Sequence, residues 1–458
     1  MRRLSATQLK LWATTYNFTH DKRMTDMQRD DPPVGLRASA ALRMRSLALH
    51  ACAVALVAAV CALAMRRDAP DTTRYMAEAR SLRDTGTFSL ENEVPTLRDA
   101  PGFPFVLSVF MRIGFEKPET PARLLNAVCA GLIGFCCGLV VSWLLGDRWG
   151  GGIFPLLAVY YCGLFPTILG SCVFVLTEVV YAMLFLVGNV LVLRAWSTPS
   201  GKWLCLPLAG LALGLATLFR SVPYAYPLLA FPLLLFLSWK SGESVGALAR
   251  RAGGPVLLGL AVFCAATLPW TLRNMTHSGA FVPVCFGTGT YLYIGASEEW
   301  NAQWPEFDPA ERLMAERPEM TRIEADQELG RLAREKILGA PVSWLALALV
   351  KLKLFWFEVP GSKKQIGSPL MAYALMLVNM VNLSLAVVGG VALWRLARRR
   401  ELLLILLPVV YTCALHVVLY AMGRFRVPVD PYLCVLAVVG GWVLCGKVVG
   451  LVKGKFGV

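Results

Sequence analysis

The stretch "SLALHACAVALVAAVCALAM", Ser46 to Met65, runs straight into "RRDAPDTTRYMAEARSL", Arg66 to Leu82. The first part carries no acidic or basic side chain apart from His50, and about 20 such residues suffice to cross about 30 Å of hydrocarbon. The second part is polar. Within it Tyr75, Ala79 and Leu82 recur at i, i+4, i+7 while Arg74, Glu78 and Arg80 fall elsewhere on the wheel, as in a helix lying flat on a membrane surface. Asp71 stands at the head of that helix, where a carboxylate can cap free backbone N–H groups or take part in chemistry. The local sequence leaves both readings open.

The same alternation continues outward. Further apolar runs occupy approximately 122–145, 150–170, 174–195, 203–219, 222–239, 252–271, 368–394, 402–421 and 431–451. With 458 residues, 56% hydrophobic and only 16% charged, the chain is far from the balance of soluble domains. The expected fold class is therefore an all-α polytopic membrane protein of about 10–12 transmembrane helices, with amphipathic surface helices in the first outer loop. The net charge of +15 is scattered through short loops, which points to anionic membrane lipid and away from nucleic acid. The thirteen cysteines lie mostly inside apolar runs without a CxxC pair, as small core hydrophobes do.

Residues 1–45 are polar and basic without periodicity and read as a disordered cytoplasmic tail, leaving 46–453 as the membrane domain. The "ALA" near the end of the first run resembles a signal-peptidase site, yet the run is long for a signal segment, so an uncleaved anchor is expected. With the amino terminus inside, the inner connections hold Arg148, then Arg194 and Lys202, then Lys240, Arg250 and Arg251, then Arg395 and Arg398 to Arg400. This satisfies the positive-inside rule. Two long polar segments, about 66–121 and about 272–341, fall on the outer side. The run "PVSWLALALVKLKLFWFEVP", Pro341 to Pro360, has Lys351 and Lys353 in its middle and reads as interfacial or re-entrant.

Candidate chemistry gathers on that outer face. Glu178, in "LTEVVYAMLF", is expected a turn or two inside the outer end of a span, where a carboxylate is costly and a functional role is the default. Helix-to-helix hydrogen bonding is the alternative. Arg220, Arg273, Lys351, Arg424 and Arg426 come from four segments; each could snorkel to headgroups, but together they suggest a phosphate pocket. "GTGTYLYIG", Gly287 to Gly295, follows no convincing strand and is a weak nucleotide motif. His20, His50, His277 and His416 have no ligand spacing, and "GDRWGGG" reads as a cytoplasmic turn.

In order along the chain, "DTTRYMAEARSLRDTGTFS", "RDAPGFPFVLSVFMRIGF", "PARLLNAVCAGLIG", "LTEVVYAMLF", "LALGLATLFRS", "LPWTLRNMTHSGAFVPV", "GTGTYLYIGAS" and "RFRVPVDPYL" resemble C-type membrane glycosyltransferases that use polyprenyl-phosphate sugars. The likeness is to bacterial protein O-mannosyltransferase-like enzymes, the lipid A aminoarabinose transferase and the rhizobial galacturonic acid transferases. It covers about 50–450. The resemblance implies a catalytic carboxylate at Asp71, a second acid at Glu178, and donor-phosphate or entrance roles for Arg220, Arg273 and Arg426. The family loop often carries two adjacent acids, and here Thr72 follows Asp71. No cofactor is then certain; a divalent metal is left open.

The implied activity is sugar transfer from a polyprenyl-phosphate donor to an extracytoplasmic glycan, lipid or protein in a bacterial inner membrane. Inversion at the anomeric carbon is expected, with Asp71 as base. Arg220 and Arg426 lead as phosphate ligands, with Lys351 weaker, and proximity of two carboxylates is expected to raise one pKa. A non-enzymatic lipid-linked saccharide transporter or flippase is the alternative.

Overall fold

The computed structural model describes residues 34–90, 95–146, 153–198, 201–301, 305, 307–358 and 368–456. Most of the expected tail, Arg148 and most of the "GDRWGGG" turn lie outside them. The chain divides into a short unit, Met1–Ser46, and the body, Leu47–Val458, which is described here. Helix starts at Val34, earlier than the tail boundary expected from the sequence.

Helix α1 (Val34–Ala64) is followed in the first polar segment by α2 (Pro70–Asp84) and α3 (Gly102–Arg112). Then come α4 (Glu119–Leu145), α5 (Ile153–Gly163), α6 (Pro166–Cys172), α7 (Glu178–Ser197), α8 (Lys202–Phe219), α9 (Pro227–Ser238) and α10 (Gly254–Ser278). The second polar segment folds into α11 (Thr288–Gly295), α12 (Pro309–Glu316), α13 (Arg322–Gly339) and α14 (Pro341–Phe357). The chain continues through α15 (Pro369–Arg395), α16 (Arg399–Val418) and α17 (Asp430–Phe456).

Among the described residues, seven helices are long and apolar enough to cross a membrane, and two bent pairs would raise the number to nine. The protein is an all-α, multi-pass membrane protein. Every expected span falls on helix, though not always a straight one, and the runs 222–239 and 431–451 lie on shorter apolar helices outside these nine. The run 150–170 is α5 and α6, bent by 48°, where Pro166 cannot continue the backbone hydrogen bonding. The run 222–239 is a 3₁₀ turn, Val222–Ala225, leading into α9 with Pro232 inside it. The Lys351-bearing run is α14, which leaves α13 at 109°.

One face of α1, formed by Leu47, Ala51, Val54, Ala58 and Ala62, is buried, while Leu49, Leu56 and Val60 remain exposed. In water this would be a fault; in a bilayer the exposed row faces lipid. Small residues bring neighbouring backbones close. A Cβ at Gly131 of α4 would lie 2.6 Å from the Ala51 carbonyl oxygen.

Two local features bring the first polar segment to α7. The α2 stripe is covered by protein: Tyr75 meets Phe103 of α3 edge to face at 5.9 Å, and Ala79 is buried. Glu78, assigned by its wheel position to the polar side, is also buried completely. At the head of α2, the Thr72 hydroxyl accepts from the Ala69 N–H and donates to the Val175 carbonyl. This bond fastens α2 beside the chain that enters α7. Residues 173–177 are not regular helix, contrary to the span expected from 174; Arg123 and Asn126 of α4 satisfy the carbonyls of Val173, Phe174 and Leu176.

Candidate active site

Asp71 occupies the first turn of α2, but it is not the cap, because Ala69 holds that position and Thr72 supplies the hydroxyl. Its carboxylate is thereby free for other partners. Asp71 Oδ1 accepts from Arg74 at 2.9 Å, and Oδ2 accepts from Arg424 at 3.0 Å. Glu178 is the first residue of α7, where the unpaired N–H groups of the helix start favour a negative charge. This corrects the deeper position expected from the sequence.

Arg220 leaves α8 in an extended conformation and donates to Glu178 Oε1 at 3.0 Å. Arg424 approaches the same oxygen at 3.8 Å. The groups therefore alternate in sign: Arg220, Glu178, Arg424, Asp71, Arg74 and finally Asp99, which Arg74 grips through two bonds of 2.9 and 3.2 Å. Alternation lets several charges share a low-dielectric site without a large net field. Arg424 Nε and Glu178 Oε2 remain without hydrogen-bond partners among the described residues.

Burial alone would raise the Asp71 pKa, but the adjacent Arg424 and Arg74 outweigh it and hold the carboxyl below its usual range. The expectation was that proximity of the two acids raises one pKa; at Asp71 the direction is downward. A guanidinium stands between them, and opposite charge stabilises the ionised form.

An aromatic column sets the cations. The guanidinium of Arg220 lies 4.9 Å and that of Arg424 5.7 Å from the Phe425 ring centroid. Phe425 stacks on His416 at 4.4 Å, and His416 on Phe355 at 6.1 Å. His416, without ligand spacing in the sequence, is thus a packing and positioning side chain, its Nδ1 3.1 Å from the Tyr420 carbonyl oxygen.

The site opens into a cavity of about 1640 Å³. Its polar end includes Asp71, Arg74, Glu178, Arg220, Tyr291 and Arg424, and its walls continue to Met371, Leu375 and Met376 of α15 and Leu415 of α16. Such a shape accommodates a molecule with a charged head and an apolar tail.

The other three basic candidates are engaged by backbone acceptors or a buried acid. Arg426, also on the cavity wall, is buried, with Nε on Asp430 at 2.9 Å and Nη1 on the Trp356 carbonyl at 2.6 Å. Lys351 is fully buried and donates to the carbonyls of Gly295 and Val418. Arg273 donates to the carbonyls of Thr96 and Phe88 and stacks 4.7 Å from the Trp270 ring centroid. In each case an otherwise unmet backbone acceptor or buried acid competes successfully for the cation. The "GTGTYLYIG" segment is α11, and its glycine spacing serves packing: a Cβ at Gly295 would lie 1.5 Å from the Leu419 carbonyl oxygen.

The residues do not fit a divalent metal. Arg424 bridges the two acids that would have to share the ion, and among the described residues no three His, Cys, Asp or Glu side chains converge. Sequence reasoning missed Asp99 and the roles of Arg74, Thr72 and Phe425. Asp99 stood in the quoted "RDAPGFP" segment, but its pairing with Arg74 depends on how α2 and α3 pack.

No protein-family profile matches the chain, and no curated protein matches it in sequence. Solved structures do. The oligosaccharyltransferase AglB from Archaeoglobus fulgidus, in complex with an inhibitory peptide and a dolichol-phosphate, superposes with a TM-score of 0.53 at 13% identity over 89% of this chain and 52% of that one. The chain shares the fold of a membrane oligosaccharyltransferase. The apo form of the Archaeoglobus fulgidus oligosaccharyltransferase matches with a TM-score of 0.50 at 11% identity, over 88% of this chain and 52% of that one. ArnT from Cupriavidus metallidurans, bound to undecaprenyl phosphate, overlaps less closely, with a TM-score of 0.40 at 18% identity over 86% and 77% of the two chains. This chain spans about half the length of the oligosaccharyltransferase. At the level of fold, the C-type resemblance drawn from the sequence is met.

Proposed function

We propose that the protein transfers a sugar from a polyprenyl-phosphate donor to an acceptor hydroxyl at the outer face of a bacterial inner membrane. One observation carries the reading: two carboxylates joined by a guanidinium, Asp71, Arg424 and Glu178, line a cavity whose walls become apolar toward α15. The fold shared with an oligosaccharyltransferase supports it.

In the proposed reaction the acceptor oxygen attacks the anomeric carbon as the bond from that carbon to the phosphate oxygen breaks. The acceptor proton passes to Asp71, and polyprenyl phosphate departs with the bonding electrons. Attack opposite the leaving group inverts the configuration. Arg220 and Arg424 bind the phosphate as its charge grows, while Glu178 keeps both guanidinium groups at the head of α7.

This assignment also accounts for the lowered pKa of Asp71. A base held below its usual range is weak, but the cation that weakens it belongs to the phosphate site. When a donor phosphate draws Arg424 toward itself, Asp71 loses part of its stabilising charge and becomes more basic. Donor binding thus activates the base.

The test compares purified wild type with Asp71→Asn for release of undecaprenyl phosphate from undecaprenyl-phosphate-linked mannose, galacturonate and aminoarabinose in turn. Loss of a general base is expected to lower turnover by roughly 10²- to 10⁴-fold. Equal turnover in the two proteins would remove Asp71 from the mechanism.

A further inference from the structure

Asp71, Arg74 and Glu78 lie at i, i+3, i+7 on α2, and only the first two have been given work. Glu78 is wholly buried, and neither carboxyl oxygen has a hydrogen-bond partner among the described residues. An ionised carboxylate in that position would be costly. The basic side chains around it are engaged elsewhere. Arg74 is bound to Asp99 and Asp71, Arg98 to Asp308 and Glu311, and Arg273 to the carbonyls of Phe88 and Thr96.

The remaining neighbour is the Asp99 carboxylate, which Arg74, one turn before Glu78 on α2, holds against this helix through bonds of 2.9 and 3.2 Å. Two bare carboxylates repel; one shared proton turns the same contact into a charge-assisted hydrogen bond. We propose that Glu78 is a positioning residue whose protonated carboxyl donates to Asp99, fixing Asp99 on Arg74 and Arg74 on Asp71. Burial and the Asp99 charge together raise the Glu78 pKa to about 9, which agrees with a neutral carboxyl at physiological pH.

The arrangement has a purpose at the moment of reaction. As Arg424 turns toward a donor phosphate, Arg74 is left to orient the Asp71 carboxylate, and Arg74 can hold its place only if Asp99 holds Arg74. Glu78 supplies the last bond in that line. The inference rests on Asp71 being the base.

Two measurements on the full-length protein in detergent test it. The first needs no substrate: thermal midpoints of wild type and Glu78→Gln are compared from about pH 5 to about pH 10. A raised folded-state pKa gives stability that is complete below the unfolded pKa and lost as pH rises toward the folded one, so wild type is expected to decline relative to Glu78→Gln across this range. Parallel curves would mean that Glu78 carries no proton, and would overturn the proposal.

The second measurement is turnover with the three undecaprenyl-phosphate donors. Glu78→Ala is expected to lower kcat by roughly tenfold with KM unchanged, because misorientation of a catalytic group acts on the chemical step. Glu78→Gln, whose amide can still donate to Asp99, is expected to restore kcat to within about twofold. An inactive Asp71→Asn beside a fully active Glu78→Ala would overturn the role of Glu78 alone. An active Asp71→Asn would instead overturn the base on which it rests.

Discussion

Arg424 and Arg426 stand on the same short 3₁₀ turn, Gly423–Arg426, and meet opposite surroundings. Arg426 points back into the bundle, where Asp430 one helical turn later and the Trp356 carbonyl bind it. Arg424 points into the cavity, and its ion-pair partners among the described residues, Asp71 and Glu178, arrive from distant parts of the chain. A cation whose partners lie off the cavity wall keeps them when a ligand enters; one whose partners, Asp71 and Glu178, line the cavity can exchange them for the ligand. The same rule separates Arg220 from Arg273 and Lys351.

The sharpest way to break this comparison is to neutralise each arginine in turn. Arg424→Gln is expected to leave the protein folded and to lower kcat by about 10²- to 10³-fold, the range for one electrostatic donor at a reacting centre. Arg426→Gln is expected to leave Asp430 as an unpaired buried charge and to cost about 3–5 kcal/mol of stability. Midpoints of unfolding and turnover per folded molecule, measured on both variants, would separate the two effects. If Arg426→Gln were fully stable and Arg424→Gln were fully active, the division of labour would be wrong.

A finer test uses pH. Because burial raises the Asp71 pKa but Arg424 and Arg74 bring it below the usual carboxylate range, Asp71 stays ionised until pH falls through that lowered value. The stabilisation it gains from its partners is present above the unfolded pKa and lost in the same acid window. In the free enzyme, the acid limb of kcat/KM is therefore expected below the usual carboxylate range. Arg424→Gln should move the limb upward. A limb at the same pH in both proteins would show that Arg424 does not control the base.

The sequence carried the fold well because a bilayer imposes a coarse and repetitive demand: long apolar runs, here interrupted by two long polar segments. It also carried Asp71 and Glu178, since an acid beside or within an apolar run is conspicuous. It did not rank the cations. Arg220, Arg273, Lys351, Arg424 and Arg426 look alike in one dimension, and whether each meets a cavity, a buried acid or a free carbonyl depends on chain reversals at α11, α14 and the 3₁₀ turn. Glu78 was misread for a related reason. Three residues after Tyr75, it stands only roughly 60° around the wheel, at the margin of the stripe rather than in it, and α2 is enclosed on more than one side.

Lys351 gives a smaller contrast with the site arginines. Its ammonium satisfies the carbonyls of Gly295 and Val418 and so joins α11 to the end of α16. Lys351→Met keeps the apolar stem but leaves both acceptors unmet, at a cost of about 1–3 kcal/mol. Turnover per folded molecule should match wild type. A selective loss of donor affinity without a change in stability would restore Lys351 to the phosphate site.

The smallest expected effect concerns Thr72, which stands where the C-type resemblance often has a second acid. Its hydroxyl both receives the Ala69 N–H and donates to the Val175 carbonyl, so a single oxygen starts α2 and ties it to the approach to α7. An aspartate could perform the first task, but as a carboxylate it would repel the Val175 carbonyl and add charge beside Asp71. Thr72→Val removes both bonds at nearly constant shape and is expected to cost about 1 kcal/mol. Asp71 would then be held less firmly relative to Glu178, so kcat should fall by only a few-fold, whereas Thr72→Ser should retain both bonds and wild-type turnover. If Thr72→Val and Thr72→Ser behaved alike in both stability and turnover, the hydroxyl would not be what aligns the two acids.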